Sequence, residues 1–200
     1  FVKITRQGNT VTAYRRSPAA SAWTRVGAAT IALGSTVYIG LFVGSHDATR
    51  LATAVFDSVF LRELSAPPPP PAGLPAGWAN GDIGGVAAAG SATFASDTFT
   101  VRGSGADIWG TADEFHFVHR TLTGDGEIVA RVASVQNRHA WSKAGVMMRE
   151  SLEAGSAHAA MFTSAAKGLA FQRRTLAGGV STSTAGALVA PPRWVRIVRA

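Results

Sequence analysis

A chain of 200 residues suits one large β-domain or two small ones, and its 46% hydrophobic content excludes disorder throughout. The net charge of +7 raises nucleic acid as a partner, but the basic residues are scattered, often singly within apparent strands, and form no dense run. There are no cysteines, which removes disulfides, thiolate nucleophiles and Cys-ligated zinc.

Alternation dominates the first third. Phe1–Arg6 reads as a strand, Gln7-Gly8-Asn9 as a turn, and Thr10–Arg15 as the return strand. Trp23–Val26 is a short strand. Thr36–Val43 is a near-continuous apolar run, the pattern of a buried central strand, and Ala52–Leu61 is another strand. Phe1 lies inside an apparent strand, so the start reads as an excision point, with any export signal upstream. No apolar run is long enough to span a membrane.

Ser65–Ala72 breaks the pattern. Its five consecutive prolines lack the N–H a sheet needs, so a polyproline II spacer reaching about 15 Å is expected. Strands then resume at Ala92–Ala95, Thr98–Arg102, Phe115–His119, Glu127–Val135, Gly145–Glu150, His158–Thr163, Leu169–Arg174 and Trp194–Arg199. Glycine-rich turns separate them in the rhythm of a sandwich. A helical turn or two is conceivable only around Arg149–Ala154.

The two ends match each other. Trp194-Val195-Arg196-Ile197-Val198-Arg199-Ala200 aligns with Phe1-Val2-Lys3-Ile4-Thr5-Arg6-Gln7. This predicts that residues 1–64 are the C-terminal part of one repeat, 65–72 a linker, and 73–200 the N-terminal part of the next.

Three stretches then resemble a concanavalin-A-like, laminin-G-type jelly-roll module: Gly103–Phe117, Gly124–Val132 and Ala144–Glu150. Gly8–Tyr14, Trp23–Gly27, Val37–Leu41 and Ala54–Val59 look like the C-terminal portion of the same module. Such modules recur in tandem in large exported bacterial proteins. The resemblance implies an all-β, antiparallel β-sandwich, secreted or displayed at the cell surface. Here it would be circularly permuted by the excision point. Residues 1–64 and 73–200 would close as one sandwich, and Trp194–Ala200 would compete with Phe1–Gln7 for one slot.

The function implied is a non-catalytic, carbohydrate-binding-like accessory module. Its partners would be a polysaccharide or cell-surface glycan, and neighbouring repeats of the same chain. The alternative is a structural spacer or adhesion repeat without a small ligand. A glycoside-active enzyme is the weaker alternative, because it needs two carboxylates on one face. Asp113 and Glu114 are adjacent and would point apart on a strand, while Asp125-Gly126 before Glu127 reads as a turn.

Binding residues follow from parity. With Phe115 and Phe117 taken as core, His116 faces the opposite way. Glu127 and Arg131 face away from Ile128, Ala130 and Val132, and Arg149 faces away from Val146 and Met148. His116, Glu127, Arg131 and Arg149 are thus expected to line one polar face, bordered by Trp109 and Trp141 in loops, where sugar rings could stack. Trp23, Trp78 and Trp194 read as core or edge packing. His116 and His119 fall on opposite faces, and His46, His139 and His158 are isolated, so no zinc site is expected. Asp82, Asp97 or Asp107 could offer oxygen ligands to calcium.

Overall fold

The computed structural model describes residues 1–62 and 73–199. The expected proline spacer at 65–72 therefore lies outside the described residues. Residues 1–62 form β1 (Val2–Gln7), β2 (Thr10–Arg16), β3 (Thr24–Thr30), β4 (Thr36–Gly44) and β5 (Asp47–Arg62). Next come β6 (Ala79–Ile83), β7 (Ser91–Ala95), β8 (Thr98–Gly105), the two-residue strands β9 (Ile108–Trp109) and β10 (Ala112–Asp113), and β11 (Phe115–Thr123). The chain continues with β12 (Gly126–Val135), β13 (Lys143–Arg149), β14 (His158–Ser164), β15 (Leu169–Arg174), β16 (Thr182–Ala185) and β17 (Arg193–Arg199). No helix occurs among the described residues. Arg149 ends β13, and the segment after it is a bend and turn instead of the helical turn that the sequence allows there.

The protein is all-β. One sheet has the order β3-β2-β1-β12-β5-β8-β7, and the other β16-β15-β14-β13-β4-β11-β6; every pairing is antiparallel. They stack as a β-sandwich. β4 lies between β11 and β13, and β5 lies between β12 and β8. Strands from residues 1–62 are therefore interleaved with strands from residues 73–199 in both layers.

The core between the layers follows the alternation. Ile128, Ala130 and Val132 of β12 meet Ile39, Leu41 and Val43 of β4 and Val146 and Met148 of β13, all buried. A second apolar cluster lies on the other side of the second sheet. It comprises Phe42, Phe115, Phe117, Met147 and Phe162, roofed by Ile108. The second sheet is thus covered on both faces, which is why β4 reads as an unbroken apolar run.

Within the second sheet, β4 and β11 run especially close at Gly40. A Cβ at Gly40 would sit 2.6 Å from the Val118 carbonyl carbon and 2.8 Å from the Cα of His119. Gly40→Ala should therefore destabilise the fold by about 2 kcal/mol through overpacking, read as a lower urea midpoint with unchanged m-value.

β12 carries one further feature. β1 and β17 both pair with it, and in the same register. Val2 and Val195 each face Ala130, and Ile4 and Ile197 each face Ile128. β1 and β17 are thus equivalent in their pairing pattern against β12.

Candidate functional site

The segment between β8 and β11 crosses the outer face of the second sheet. β9 and β10 form a tight hairpin there, with Gly110 at φ 56°, a conformation costly for residues with a Cβ. Ile108 anchors the hairpin in the Phe42–Phe162 cluster, and its carbonyl accepts a bond from Gln172 Nε2. Ser181 N–H donates to the Gly110 carbonyl at 2.8 Å. With its backbone held this way, Trp109 keeps 45% of its surface exposed.

Trp141 approaches from the turn before β13. Ser142 N–H donates to the His139 carbonyl (2.8 Å), and Ser142 Oγ to the Ser45 carbonyl (2.7 Å). The Trp141 side chain remains 41% exposed. Trp109 and Trp141 border a common cleft of about 260 Å³, floored by Phe162 and Gln172.

A charged group also lines the cleft. Lys143 Nζ donates to Asp107 Oδ1 at 2.5 Å, and His46 Nδ1 lies 3.2 Å from Asp107 Oδ2. The His46 and His139 rings meet at 4.3 Å between centroids, so these histidines are not isolated as their sequence spacing suggested. Burial lowers the Lys143 pKa from its usual value, and Asp107 acts in the opposite direction by favouring the ammonium. The cleft thus offers two flat rings and a small set of fixed polar groups.

The structure does not gather the other expected residues here. The prediction of one polar face formed by His116, Glu127, Arg131 and Arg149 is corrected. Glu127 and Arg131 lie on the outer face of the first sheet, where Glu127 pairs with Lys3 and with Arg196 (2.9 Å) and Arg131 pairs with Asp57. His116 faces inward at the sheet edge, nearly buried, with Nδ1 2.7 Å from Asp82 and Nε2 3.0 Å from Asn80. The parity of β11 was right and its assignment reversed. Phe115 and Phe117 occupy the second cluster, while Val118 and Leu122 face the inter-sheet core.

Arg149 shares the outer face with Lys143 and Met147 but is buried beneath the hairpin. Arg174 grips Asp113 through two bonds, 2.8 Å to Oδ2 and 2.7 Å to Oδ1. Arg149 Nη1 reaches Asp113 Oδ2 at 3.4 Å, and His158 Nδ1 lies 3.5 Å from the same oxygen. All four side chains are fully buried. Burial pushes the His158 pKa down to about 4; Asp113 opposes the shift, and the two guanidiniums add to it. Burial likewise lowers the Arg149 pKa to about 10. The arginines also bond the carbonyls of Trp109, Gly110, Ser151, Glu153, Ala154, Ser156 and Gly179, so the cluster staples three loops to the sheet.

The paired acids are also engaged elsewhere. Asp113 is in that cluster, Glu114 accepts from Ala106 N–H (2.9 Å), and Asp125 accepts from Gly8 N–H (2.5 Å). Of the calcium candidates, Asp82 holds His116, Asp107 holds Lys143, and Asp97 sits at a hairpin tip with φ 56°. No group of three or more potential metal ligands forms among the described residues.

Sequence reasoning named both tryptophans as loop rings but did not place Lys143, Asp107 and His46 beside them in one cleft. One signal was present: Lys143 has the parity of Met147 and Arg149, so it belongs to the face that those residues share. Compared with known proteins, the chain matches no family, no curated protein and no solved structure.

Proposed function

We propose that the chain is a non-catalytic carbohydrate-binding-like module of the jelly-roll kind, and that the cleft between Trp109 and Trp141 is its glycan site. The observation that carries this reading is the pair of half-exposed indoles that line one cleft together with the Asp107–Lys143 pair. A pyranose presents a flat apolar face that stacks on an indole, while its hydroxyls bond to fixed charged groups. Gln172 is already bonded to the Ile108 carbonyl and serves as floor. The setting proposed for it is an exported bacterial protein with an extracellular or surface location.

The test is binding to a panel of soluble and insoluble polysaccharides at low and high salt. Saturable, salt-resistant binding is expected, weakened about tenfold or more by Trp141→Ala. Arg131→Ala lies on the other sheet and should leave the affinity unchanged. Binding that vanishes with salt would reflect only the net charge of +7.

A second reading is a structural spacer. It is favoured by the filling of the outer face with Phe42, Phe115, Phe117 and Met147, and by the hairpin roof over them. A folded monomer that binds no glycan in the panel would establish this reading and remove the first.

A further inference from the structure

The lining of the Trp109–Trp141 cleft contains one acid among the described residues, Asp107. That acid is already engaged. Its Oδ1 accepts from the Ile108 N–H at 2.7 Å and from Lys143 Nζ at 2.5 Å, and its Oδ2 lies 3.2 Å from His46 Nδ1. Asp107 therefore has little capacity left for a ligand's hydroxyl groups.

Lys143 is in the opposite position. Its side chain is only 4% exposed, yet it lines the cleft. An ammonium carries three N–H donors, and among the described residues its hydrogen bond goes to Asp107. The same Nζ lies 5.0 Å from the Phe162 ring centroid and 6.0 Å from that of Trp141. Rings attract a cation but are weak hydrogen-bond acceptors, so two donors of a nearly buried ammonium remain without a strong partner. The lowering of the Lys143 pKa by burial has the same origin: water has been removed and not fully replaced.

A second ammonium meets the same indole. Lys167 is exposed, and its Nζ lies 5.9 Å from the Trp141 centroid. Its turn is bonded to the turn that carries Trp141. Ala165 and Ala166 N–H donate to the Ser142 and Ala140 carbonyls at 2.8 and 3.0 Å, and Lys167 N–H donates to Ser164 Oγ at 2.7 Å. The cleft thus combines an indole, one neutralised acid and two cations, one of them with donors to spare.

Resting on the glycan reading above, we propose that the cleft selects a uronic acid, with the sugar ring on Trp141 and its carboxylate on the spare donors of Lys143. Lys167 adds charge beside the indole. The carboxylate of a uronate is bonded directly to a ring carbon, so the stacking face and the anion arrive together. The cleft is small, about 260 Å³, which favours such a compact anion over one carried on a longer arm. A carboxylate on a nearly buried ammonium forms a charge-assisted bond that salt screens less than an exposed pair.

The test uses matched pairs: polygalacturonate, alginate and hyaluronan, each beside its own neutral ester, together with uncharged polysaccharides. Binding is measured at about 0.3 M salt, where attraction between exposed charges is largely screened. At least one acid should bind about tenfold or more tighter than its ester. Lys143→Met should abolish that preference while leaving the weaker binding of the ester in place, which also shows that the variant is folded. Lys167→Gln, at the surface, should reduce the preference by about two- to threefold. Arg102→Gln removes the same charge from an exposed position on β8 of the first sheet and should change nothing. Dextran sulfate, a polyanion without a uronate, should not bind at this salt.

Acid and ester bound alike, or binding of uncharged glycans alone, would overturn the uronate assignment and leave the glycan reading standing. So would a preference unchanged in both lysine variants, or dextran sulfate binding as tightly as the uronates. Failure of every glycan in the panel to bind a folded protein would remove both.

Discussion

Asp113→Ala should cost about 3–5 kcal/mol of folding stability, a large share of the roughly 5–15 kcal/mol that holds a typical domain. Among the described residues, this carboxylate is the only acid paired with the two fully buried guanidiniums, so removing it strands uncompensated charge in a dry interior. Arg149→Met should cost less, because Asp113 then keeps both bonds from Arg174. The order matters more than either value. A cluster whose parts merely coexist would lose similar amounts for each substitution, whereas one organised around a shared anion loses most when the anion goes. Urea unfolding of the two variants reads the difference. A midpoint shift for Asp113→Ala equivalent to under about 1 kcal/mol would show that the charges are not held as described. Arg174 also bonds the Trp109 and Gly110 carbonyls, so Asp113→Ala should loosen the hairpin that carries Trp109. A red-shifted tryptophan emission in the still-folded fraction is the expected companion signal.

What the sequence made legible was periodic, and what it hid was long-range. The apolar run at Val37–Val43 correctly announced a central strand, because a strand covered on both faces has no polar side to show. The alternation of Ile128, Ala130 and Val132 placed Glu127 and Arg131 outward. The likeness between the ends at positions 1 and 194 reappears as one register against β12.

Parity alone could not say which sheet a face belongs to, so Glu127 and Arg131 were grouped with Arg149 across two layers. At β11 both sides are apolar enough to be core, and choosing the Phe side as the inter-sheet side inverted His116. The anion cluster draws on positions 113, 149, 158 and 174, and no local spacing ties these together. Likewise His46, Asp107 and Lys143 meet only because β4, the hairpin loop and β13 converge at one end of the second sheet. The exposure of Trp109 and Trp141 was readable for a simpler reason: large rings in glycine- and polar-rich loops have little core to enter.

The same cluster should make the fold acid-sensitive in a defined window. His158 has an ordinary pKa of 6.5 when unfolded and about 4 when folded, because burial and two neighbouring guanidiniums disfavour the imidazolium more than Asp113 favours it. Between these values the unfolded chain binds a proton that the folded chain refuses, so stability falls as the pH falls. His158 contributes its full effect above pH 6.5, loses it progressively on acidification, and has nothing more to lose below about pH 4. A difference of this size corresponds to about 3 kcal/mol. His119 is also lowered, by burial first and then by Arg149 and His116, and its slope has the same sign. Urea midpoints taken from about pH 7.5 down to about pH 4 should therefore decline before most carboxylates titrate. His158→Gln should flatten most of that decline while leaving the acid limb of the carboxylates in place. If the slope survives the substitution unchanged, His158 is not the group excluded from protonation. The cluster would then hold the loops by its Asp113–arginine bonds without setting the pH response.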